Sequence, residues 1–415
     1  MKSNYKKIGD HIRLVDERNA GHKVKQLLGL SISKQFIPSV ANIIGTDMEN
    51  YKIIRKNQFA CSTMQVRRDK KMPVALLQEV DEAMISQAYP IFEVTDTTKL
   101  LPEYLMMWFT RQEFDREACF YAIGGVRGSL EWEDFCDMKL PIPKPDKQKE
   151  IVKEYNTIVN LIALNNQLIQ KLEETAQTIY KQWFVDFEFP NEEGKPYKSS
   201  GGEMEMNLEL EKEIPKGWEV SDLNGVISIK HGFAFKGDYI TEEENDNILL
   251  TPGNFKIGGG FKGGSLKYYT GRFPKEYIFN EGDAMVTMTD LSKAADTIGY
   301  AALIPATKGK SYLHNQRLGR IMFKKQLKYF VYWLMRSRAY RNSILGGITG
   351  TTVKHTAPSK ILEFKFSLPN IDTLIEKFES YCSVLQKKIS LMEREKDCLI
   401  EMKDLLLSKL ATIEN

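Results

Sequence analysis

The sequence predicts an α/β (α+β) chain in which two similar globular domains are each followed by one long helix. One observation is an internal repeat, because residues 104–111, Tyr-Leu-Met-Met-Trp-Phe-Thr-Arg, recur at 329–336 as Tyr-Phe-Val-Tyr-Trp-Leu-Met-Arg. Another is an apolar heptad pattern at equivalent places after the two globular regions. The third is a series of short runs rich in β-branched and aromatic residues, such as 284–288 and 320–323, which are typical of strands.

The repeat extends over four blocks whose separations agree to within a few positions. The glycine-rich segment 124–129 recurs at 346–351, and the segment 54–58 aligns with 279–283. In the fourth block, Pro143, Asp146, Glu150 and Tyr155 recur as Pro369, Asp372, Glu376 and Tyr381. A repeat of this length indicates two domain-sized units rather than a solenoid. We expect the two units to be related by a pseudo-twofold axis.

The composition favours an intracellular globular protein. A length of 415 residues predicts two to four domains, and the 42% hydrophobic content supports full cores. Five cysteines without a CxxC pair indicate reduced thiols, and no apolar run approaches the roughly 20 residues of a membrane span. The N-terminus lacks the apolar core of a targeting peptide. These features predict a cytoplasmic location.

A long first helix is predicted over residues 146–189, with Asp146 as its N-cap and Pro190 as its end. Its apolar positions alternate in steps of four and three, which is a heptad seam: Ile158, Ile162, Asn165, Ile169, Leu172, Ala176, Ile179 and Trp183. Asn165 is the one polar residue of the seam. A buried asparagine at such a position commonly fixes the register of paired helices.

A second long helix is predicted from about Asp372 to Leu410, with Lys396 and Lys403 interrupting its seam. One interpretation places the two helices on separate globular cores. The favoured interpretation pairs them antiparallel, because they occupy equivalent places in the two halves. The chain then divides into a first globular domain (1–145), a first helix (146–189), a linker (190–214), a second globular domain (215–370) and a second helix (371–412).

The sequence shows no catalytic signature. Gly309-Lys310-Ser311 has only the tail of a phosphate-binding loop, because Ile304 stands where its first glycine belongs. No dinucleotide fingerprint and no Asn-Pro-Pro-Phe motif of amino-methyltransferases occurs. The five histidines lack metal-ligand spacing. We therefore expect a non-catalytic chain with no catalytic residues, no metal ligands and no cofactor of its own.

Polar and basic loops are the candidate functional residues, and DNA is the ligand that they suit. Lysine and arginine hold phosphates, while asparagine, glutamine and arginine can bind base edges. The candidates in the first half are Arg67, Arg68, Lys70, Lys71, Gln87, Tyr89, Arg127 and Ser129. Those in the second half are Lys236, Lys262, Asn315, Gln316, Arg317, Thr351, Lys354 and His355. Solvated turns, polar strand ends and turn glycines are the structural alternatives.

Three segments give the chain a resemblance to a known family. Residues 179–190, Ile-Tyr-Lys-Gln-Trp-Phe-Val-Asp-Phe-Glu-Phe-Pro, close the first helix, and Gly194–Tyr197 and Ile214–Trp218 follow. Together with the repeat and the two helices, they make the chain similar to the specificity (S) subunit of type I restriction-modification enzymes. The resemblance covers essentially the whole length.

The resemblance implies two target recognition domains, each of which reads one half of a bipartite DNA sequence. The antiparallel helices would form a coiled-coil spacer between them and dock two modification subunits. Those partners would supply S-adenosylmethionine and methylate adenine, and motor/nuclease restriction subunits would add ATP-dependent cleavage. The candidate partner-binding residues are Ile162, Ile169, Leu172, Ile179, Trp183, Phe184, Leu385, Ile389, Leu399 and Leu406. The alternatives are a pseudo-dimeric DNA-binding protein that acts alone and a protein-interaction scaffold.

Overall fold

The computed structural model describes residues 5–39, 48–124, 128–264, 266–292, 294–307, 309–350, 353–370 and 372–413. The chain forms two compact units, of which unit 1 comprises residues 1–164 and 396–415 and unit 2 comprises residues 165–395. Each unit boundary falls inside a long helix. The sequence-based division into globular domains, helices and a linker stays a prediction. Within the described residues, no helix has both the length and the apolar character that crossing a bilayer requires.

Unit 1 contains short strands and helices up to the start of the first long helix. The helices are α1 (Val66–Asp69), α2 (Pro102–Thr110), α3 (Gln112–Tyr121), α4 (Trp132–Asp137) and α5 (Pro145–Phe184), which continues into unit 2. The strands are β1 (Tyr5–Lys7), β2 (Ile12–Val15), β3 (Leu28–Leu30), β4 (Phe36–Pro38), β5 (Lys52–Arg55), β6 (Phe59–Cys61), β7 (Val74–Leu76), β8 (Glu82–Ile85), β9 (Ile91–Val94) and β10 (Lys139–Pro141). Strands β2-β9-β6-β7 form an antiparallel sheet, and β1-β10, β3-β4 and β5-β8 form pairs.

Unit 2 has more strands than unit 1 among the described residues. Its helices are α6 (Leu223–Val226), α7 (Lys328–Leu334), α8 (Arg338–Gly346), α9 (Pro358–Leu362) and α10 (Asp372–Lys409), which ends in unit 1. Its strands are β11 (Met204–Asn207), β12 (Lys212–Pro215), β13 (Glu219–Asp222), β14 (Ile227–His231), β15 (Ile240–Thr241), β16 (Asn247–Leu250), β17 (Lys267–Tyr269), β18 (Ile278–Phe279), β19 (Ala284–Thr287), β20 (Thr289–Asp290), β21 (Ala301–Leu303), β22 (Ser311–His314), β23 (Leu318–Phe323), β24 (Lys354–His355) and β25 (Lys365–Leu368).

The two units share one sheet architecture, which confirms the repeat and the α+β class. The four-stranded sheet of unit 1 has the order β2-β9-β6-β7, and that of unit 2 has the order β14-β23-β19-β21. Strands β6 and β19 occupy the same place in the two sheets and begin at Phe59 and Ala284, the same separation as between Tyr104 and Tyr329 of the repeat. The antiparallel pair β5-β8 corresponds to β18-β22, which β16, β17 and β15 extend to five strands. Unit 2 is therefore an elaborated copy of the unit 1 plan.

Each repeated Trp-x-x-Arg block lies at a break between two helices. Arg111 is extended between α2 and α3, and Ser337 caps α8 by accepting from Tyr340 N. The Arg111 guanidinium lies 4.1 Å from the Trp108 ring, and that of Arg336 lies 4.5 Å from the Trp333 ring. A cation over an indole face is attracted by the ring quadrupole, so each arginine can hold the corner between its two helices. The repeat therefore preserves this corner in both units.

The long helices pair antiparallel within each unit, as predicted. In unit 1, Ile151 near the start of α5 shares a core with Leu407 and Leu410 near the end of α10. In unit 2, Tyr180 and Trp183 near the end of α5 lie 6.0 and 6.1 Å from Phe378 near the start of α10. The predicted seam of α5 is buried or half-buried at every position.

Helix α5 ends earlier than predicted, at Phe184 instead of residue 189. The backbone N–H groups of Val185 and Asp186 both bond to the Lys181 carbonyl, at 3.0 and 2.9 Å, and Phe187 takes a φ of 62°. Phe187 and Phe189 can then pack on Trp218, with both ring separations at 5.4 Å. Burial of these aromatic rings turns the chain before Pro190 could stop the helix.

The segment 190–214, predicted to be a linker, has secondary structure of its own. Strands β11 and β12 pair antiparallel, so that Met204 lies opposite Pro215. The Tyr197 ring stacks on Phe189 at 4.5 Å, and the Tyr197 hydroxyl donates to the Glu203 carbonyl at 2.9 Å. The polar composition of the segment 190–214 gave no indication of these contacts.

Replacing Asn165 by leucine should stabilise the folded chain. Asn165 is buried, and its Nδ2 donates to Glu395 Oε2 at 3.2 Å. Because a polar seam residue lowers the stability of paired helices in exchange for register, Asn165→Leu should raise the free energy of unfolding by about 1 kcal/mol. Urea denaturation of the full chain measures this. Asn166→Leu, on the exposed face, is the matched control and should be nearly neutral. Destabilisation by Asn165→Leu would show that the amide stabilises the helix pair.

Candidate nucleic-acid interface

A hairpin follows α3 and α8 with equivalent backbone hydrogen bonds in both units. Ile123 and Ser129 exchange two backbone hydrogen bonds, at 2.8 and 2.9 Å, and Thr349 and His355 exchange two at 3.1 and 2.9 Å. The next residue then donates its N–H to a distant carbonyl, Leu130 to Thr63 at 2.9 Å and Thr356 to Met288 at 3.1 Å. The repeat thus preserves a backbone frame, while the side chains on that frame differ.

In unit 1 the hairpin lies against the basic cluster of α1. The Arg67 Nη1 donates to the Gly124 carbonyl at 3.2 Å. Gly128 has a φ of 38°, and a Cβ there would lie 2.7 Å from the Arg67 Cβ. A glycine is therefore needed for this close approach. The candidates Arg67 and Ser129 are consequently neighbours.

The other described basic candidates of unit 1 lie within four residues of Arg67 along the chain. The side chains of Arg68, Lys70 and Lys71 are exposed. Arg68 forms an ion pair with Asp69 at 2.6 Å, so part of its charge is neutralised within the chain. The cluster still presents several cations at one surface, and such a surface suits phosphates.

Gln87 and Tyr89 occupy the turn between β8 and β9. Gln87 is exposed and lines a cleft with Lys52, Thr63 and Trp132. Thr63 is the residue whose carbonyl accepts from Leu130, so this cleft adjoins the glycine hairpin. Tyr89 is half-buried, and its carbonyl accepts from Lys52 Nζ at 3.3 Å.

In unit 2 the turn 315–317 lies beside β24. The Asn315 Oδ1 accepts from Arg317 N at 2.9 Å, which fixes the turn and leaves the side chains of Gln316 and Arg317 exposed. Met288 links the turn to the hairpin, because its N–H donates to the Arg317 carbonyl and its carbonyl accepts from Thr356, both at 3.1 Å. The structure therefore brings the candidates of 315–317 together with Lys354 and His355.

Four candidates lie on other loops or outside the described residues. Lys236 and Lys262 are exposed on separate loops of unit 2. Lys262 lines a cleft with Asp290 and Leu291. Arg127 and Thr351 fall outside the described residues, and their proposed role stays a prediction.

Comparison with known proteins identifies the family. The sequence profile of the type I restriction modification DNA specificity domain matches residues 42–174 and 215–401, most of the chain. The chain belongs to this family. Each of the two matched segments contains one glycine-rich hairpin and part of one long helix.

Curated relatives and a solved structure agree with the family. The chain is 25% identical over 315 residues to the type I restriction enzyme MjaIX specificity subunit of Methanocaldococcus jannaschii, covering 75% of this chain and 68% of the relative. It is 26% identical over 291 residues to the MjaVIII specificity subunit of the same organism, covering 68% and 64%. The crystal structure of the S subunit from M. genitalium aligns over 99% of this chain and 96% of that chain, with a TM-score of 0.55 and 13% identity. That likeness shows the fold.

The candidate partner-binding residues lie mostly inside the chain. Buried among them are Ile169, Trp183, Phe184, Ile389 and Leu399, and half-buried are Ile162, Leu172, Ile179, Leu385 and Leu406. Phe184, for example, lies 4.8 Å from Phe330 and 5.0 Å from Phe378. Partner binding through these side chains stays a prediction.

The long helices expose a different set of apolar side chains, which the seam analysis missed. On α5 these are Leu161, Leu164 and Leu168, and on α10 they are Val384, Leu391 and Leu405. Val384 and Leu391 are one heptad apart, and Leu405 lies two heptads beyond Leu391. A second heptad stripe was therefore a sequence signal for an exposed apolar face of α10.

His314, next to the predicted base-reading turn, is a core residue. It is fully buried, lies 4.6 Å from Phe279, and hydrogen-bonds through Nε2 to the Leu318 carbonyl at 2.9 Å. Burial lowers the pKa of His314 to about 4. A neutral imidazole that donates to a carbonyl fits this environment.

Acidification should destabilise the folded chain through His314. Since the pKa falls from about 6.5 in the unfolded chain to about 4 in the folded chain, the stabilisation is complete above pH 6.5 and is lost as pH falls toward 4. The expected loss at pH 5 is about 2 kcal/mol. The melting temperature, measured by thermal unfolding, should fall less between pH 7 and pH 5 for His314→Gln than for the natural chain. Equal differences would mean that His314 does not titrate in this range.

Proposed function

We propose that the chain is the non-catalytic DNA sequence-specificity subunit of a type I restriction-modification complex, in which each unit reads one half of a bipartite target. The observation that carries the proposal is the repeated hairpin frame with different exposed side chains. Unit 1 presents Arg67 and Gln87 around this frame, whereas unit 2 presents Gln316, Arg317 and His355. Two units with the same backbone arrangement but different exposed side chains suit a DNA target whose two half-sites differ in sequence.

The exposed side chains have the chemistry of DNA recognition. Cations such as Arg67, Lys70 and Lys71 attract phosphates, which position a protein on the duplex without reading sequence. Glutamine can bind adenine and arginine can bind guanine through paired hydrogen bonds in the major groove. Hydrogen bonds to the Asn315 side chain and to the backbone hold the turn at 315–317, so the backbone that carries Gln316 and Arg317 needs little ordering on binding.

The proposal assigns the catalytic steps to partner subunits. Two modification subunits would bind S-adenosylmethionine and methylate adenine at N6, and restriction subunits would add ATP-dependent cleavage in the cytoplasm. The exposed apolar side chains Val384 and Leu391, one heptad apart on α10, support helix-to-helix docking, because exposed apolar patches mark interaction sites. In this assignment the chain determines the DNA sequences at which the partner subunits act.

Adenine-methylation mapping at base resolution tests the proposal. Cells that express the cognate modification subunit are compared with and without this chain. A bipartite methylated motif should appear only when the chain is present. An unchanged methylation pattern, with the modification subunit shown to be expressed, would contradict the proposal and favour a scaffold role.

Lengthening both long helices should lengthen the spacer between the half-sites. One heptad is inserted after Leu164 in α5 and another after Glu395 in α10, so that the heptad register is kept. One heptad of helix adds about 10 Å, which equals about three base pairs of B-DNA. The mapped motif should keep both half-site sequences while its gap grows. A control with the insertion in α5 alone breaks the pairing and should abolish methylation, and an unchanged gap in the double insertion would rule out the helices as the ruler.

A further inference from the structure

An exposed isoleucine stands at the tip of a tight hairpin in unit 2. Phe255 and Phe261 form an antiparallel bridge, and within it Lys256 N donates to the Gly260 carbonyl at 2.9 Å. The Gly259 N–H closes the tip on the Lys256 carbonyl at 3.0 Å. Ile257 at this tip is 78% exposed. The glycines at 258, 259 and 260 all have positive φ, a conformation that suits glycine and permits so tight a turn.

The hairpin tip is fixed to the body of unit 2. Arg336 Nε donates to the Gly258 carbonyl at 2.9 Å, while its guanidinium lies over the Trp333 ring. The Gly260 N–H donates to the Ala301 carbonyl at 2.9 Å. A Cβ at Gly259 would lie 2.9 Å from the Arg336 Cγ. Ile257 is therefore an apolar group presented to solvent on an ordered backbone.

A second loop of unit 2 presents Leu291. The carboxylate of Asp290 accepts from the N–H groups of Ser292, Thr297 and Ile298 at 2.7, 2.6 and 3.1 Å, and from Thr297 Oγ1 at 2.9 Å. Burial by itself raises the pKa of Asp290, but these hydrogen bonds outweigh it and leave the pKa below its usual value. Asp290 thus organises the loop as an anion. Leu291, the next residue, is 63% exposed.

Ile257 and Leu291 line the same cleft, whose volume is about 560 Å³. Lys256, Lys262 and Asp296 also line it. Lysines attract phosphates. A carboxylate repels them, and apolar side chains make no favourable contact with them. The mixture suits base edges, with a phosphate held by Lys262, since Lys256 already forms an ion pair with Glu173 at 3.6 Å. Strand β20 leads into this cleft and pairs with β24, so the cleft adjoins the surface of residues 315–317 and 354–355.

An A·T base pair matches the chemistry of the cleft. In the major groove it presents the thymine methyl group, which makes apolar contacts, and the adenine N6 amino group, which donates a hydrogen bond. A C·G pair offers an amino donor without the methyl group. Single exposed apolar side chains are ordinary on protein surfaces. Two such side chains that line one cleft with a carboxylate form a complementary set.

We propose that this cleft reads an A·T pair of the half-site bound by unit 2, with Ile257 and Leu291 against the thymine methyl and Asp296 accepting from adenine N6. The inference rests on the proposed function and extends it to named residues. Because the three side chains belong to one site, each substitution should affect the same position of the DNA motif.

The test is methylation mapping with the chain co-expressed with its modification subunits. Ile257→Ala, Leu291→Ala and Asp296→Ala should each relax one A·T position in one half-site, with a loss of preference of about 5-fold or more. The other half-site should stay unchanged. Leu208→Ala is the matched control, because Leu208 is 87% exposed in the loop between β11 and β12 and does not line the cleft.

Lys262→Ala separates phosphate contact from base reading. It should leave the motif intact and reduce the slope of log affinity against log salt by about one. Electrophoretic binding of the methyltransferase complex to a duplex carrying the mapped motif measures that slope. An altered motif in this variant would contradict the assignment of Lys262 to phosphate.

Three outcomes would overturn the inference or its basis, and they are distinguishable. If the cleft variants leave both half-sites unchanged while Arg317→Ala alters one, the cleft does not read bases and the proposed function stands. If the cleft variants lose association with the modification subunit in size-exclusion chromatography, the cleft is a protein-docking surface. If the natural chain yields no bipartite motif, the proposed function itself fails.

Discussion

The attachment of each globular domain to the paired helices is the constraint on which the rest of the structure depends. In unit 1 the buried Gln148 of α5 accepts from Leu101 N at 2.8 Å, just before α2, and donates to the carbonyls of Lys99 and Pro143 at 2.7 and 2.8 Å. In unit 2 the Glu379 carboxylate of α10 accepts from Tyr329 N at 3.1 Å and Phe330 N at 2.8 Å, in the first turn of α7. Since the first N–H groups of a helix lack partners within it, each long helix satisfies donors at the start of the domain helix that it supports.

These attachments leave the loops free to vary, because the sheet, the two-helix corner and the hairpin frame recur in both units. Side chains such as Gln87 and Arg317 can then differ without cost to the core. The corner also supports an insertion, since Arg336, the equivalent of Arg111, holds the Gly258 carbonyl of a hairpin that has no counterpart among the described residues of unit 1. A specificity subunit needs this separation of frame and loops, because a change of target must not change the assembly of the complex.

The sequence alone determined the features that depend on local periodicity. The constant separation of the repeated blocks predicted two copies of one plan, and the heptad spacing predicted paired helices with Asn165 in the seam. Periodicity survives in any fold that buries one face of a helix, so these predictions needed no coordinates. The sequence also marked Asn315, Gln316 and Arg317 as candidate base-reading residues, which the structure places in a turn after β22.

Only the tertiary structure decided which loops meet and where α5 ends. The pairing of Thr289 with His355 joins segments 66 residues apart, and no local pattern encodes it. Phe187 ends the helical run because Trp218, far along the chain, offers it a buried contact. His314 is a core residue and Ile257 is exposed, although isoleucine is more often buried than histidine. Burial is decided by the whole set of non-local contacts, whereas the periodicity of a helix or strand reports only neighbours within a few turns.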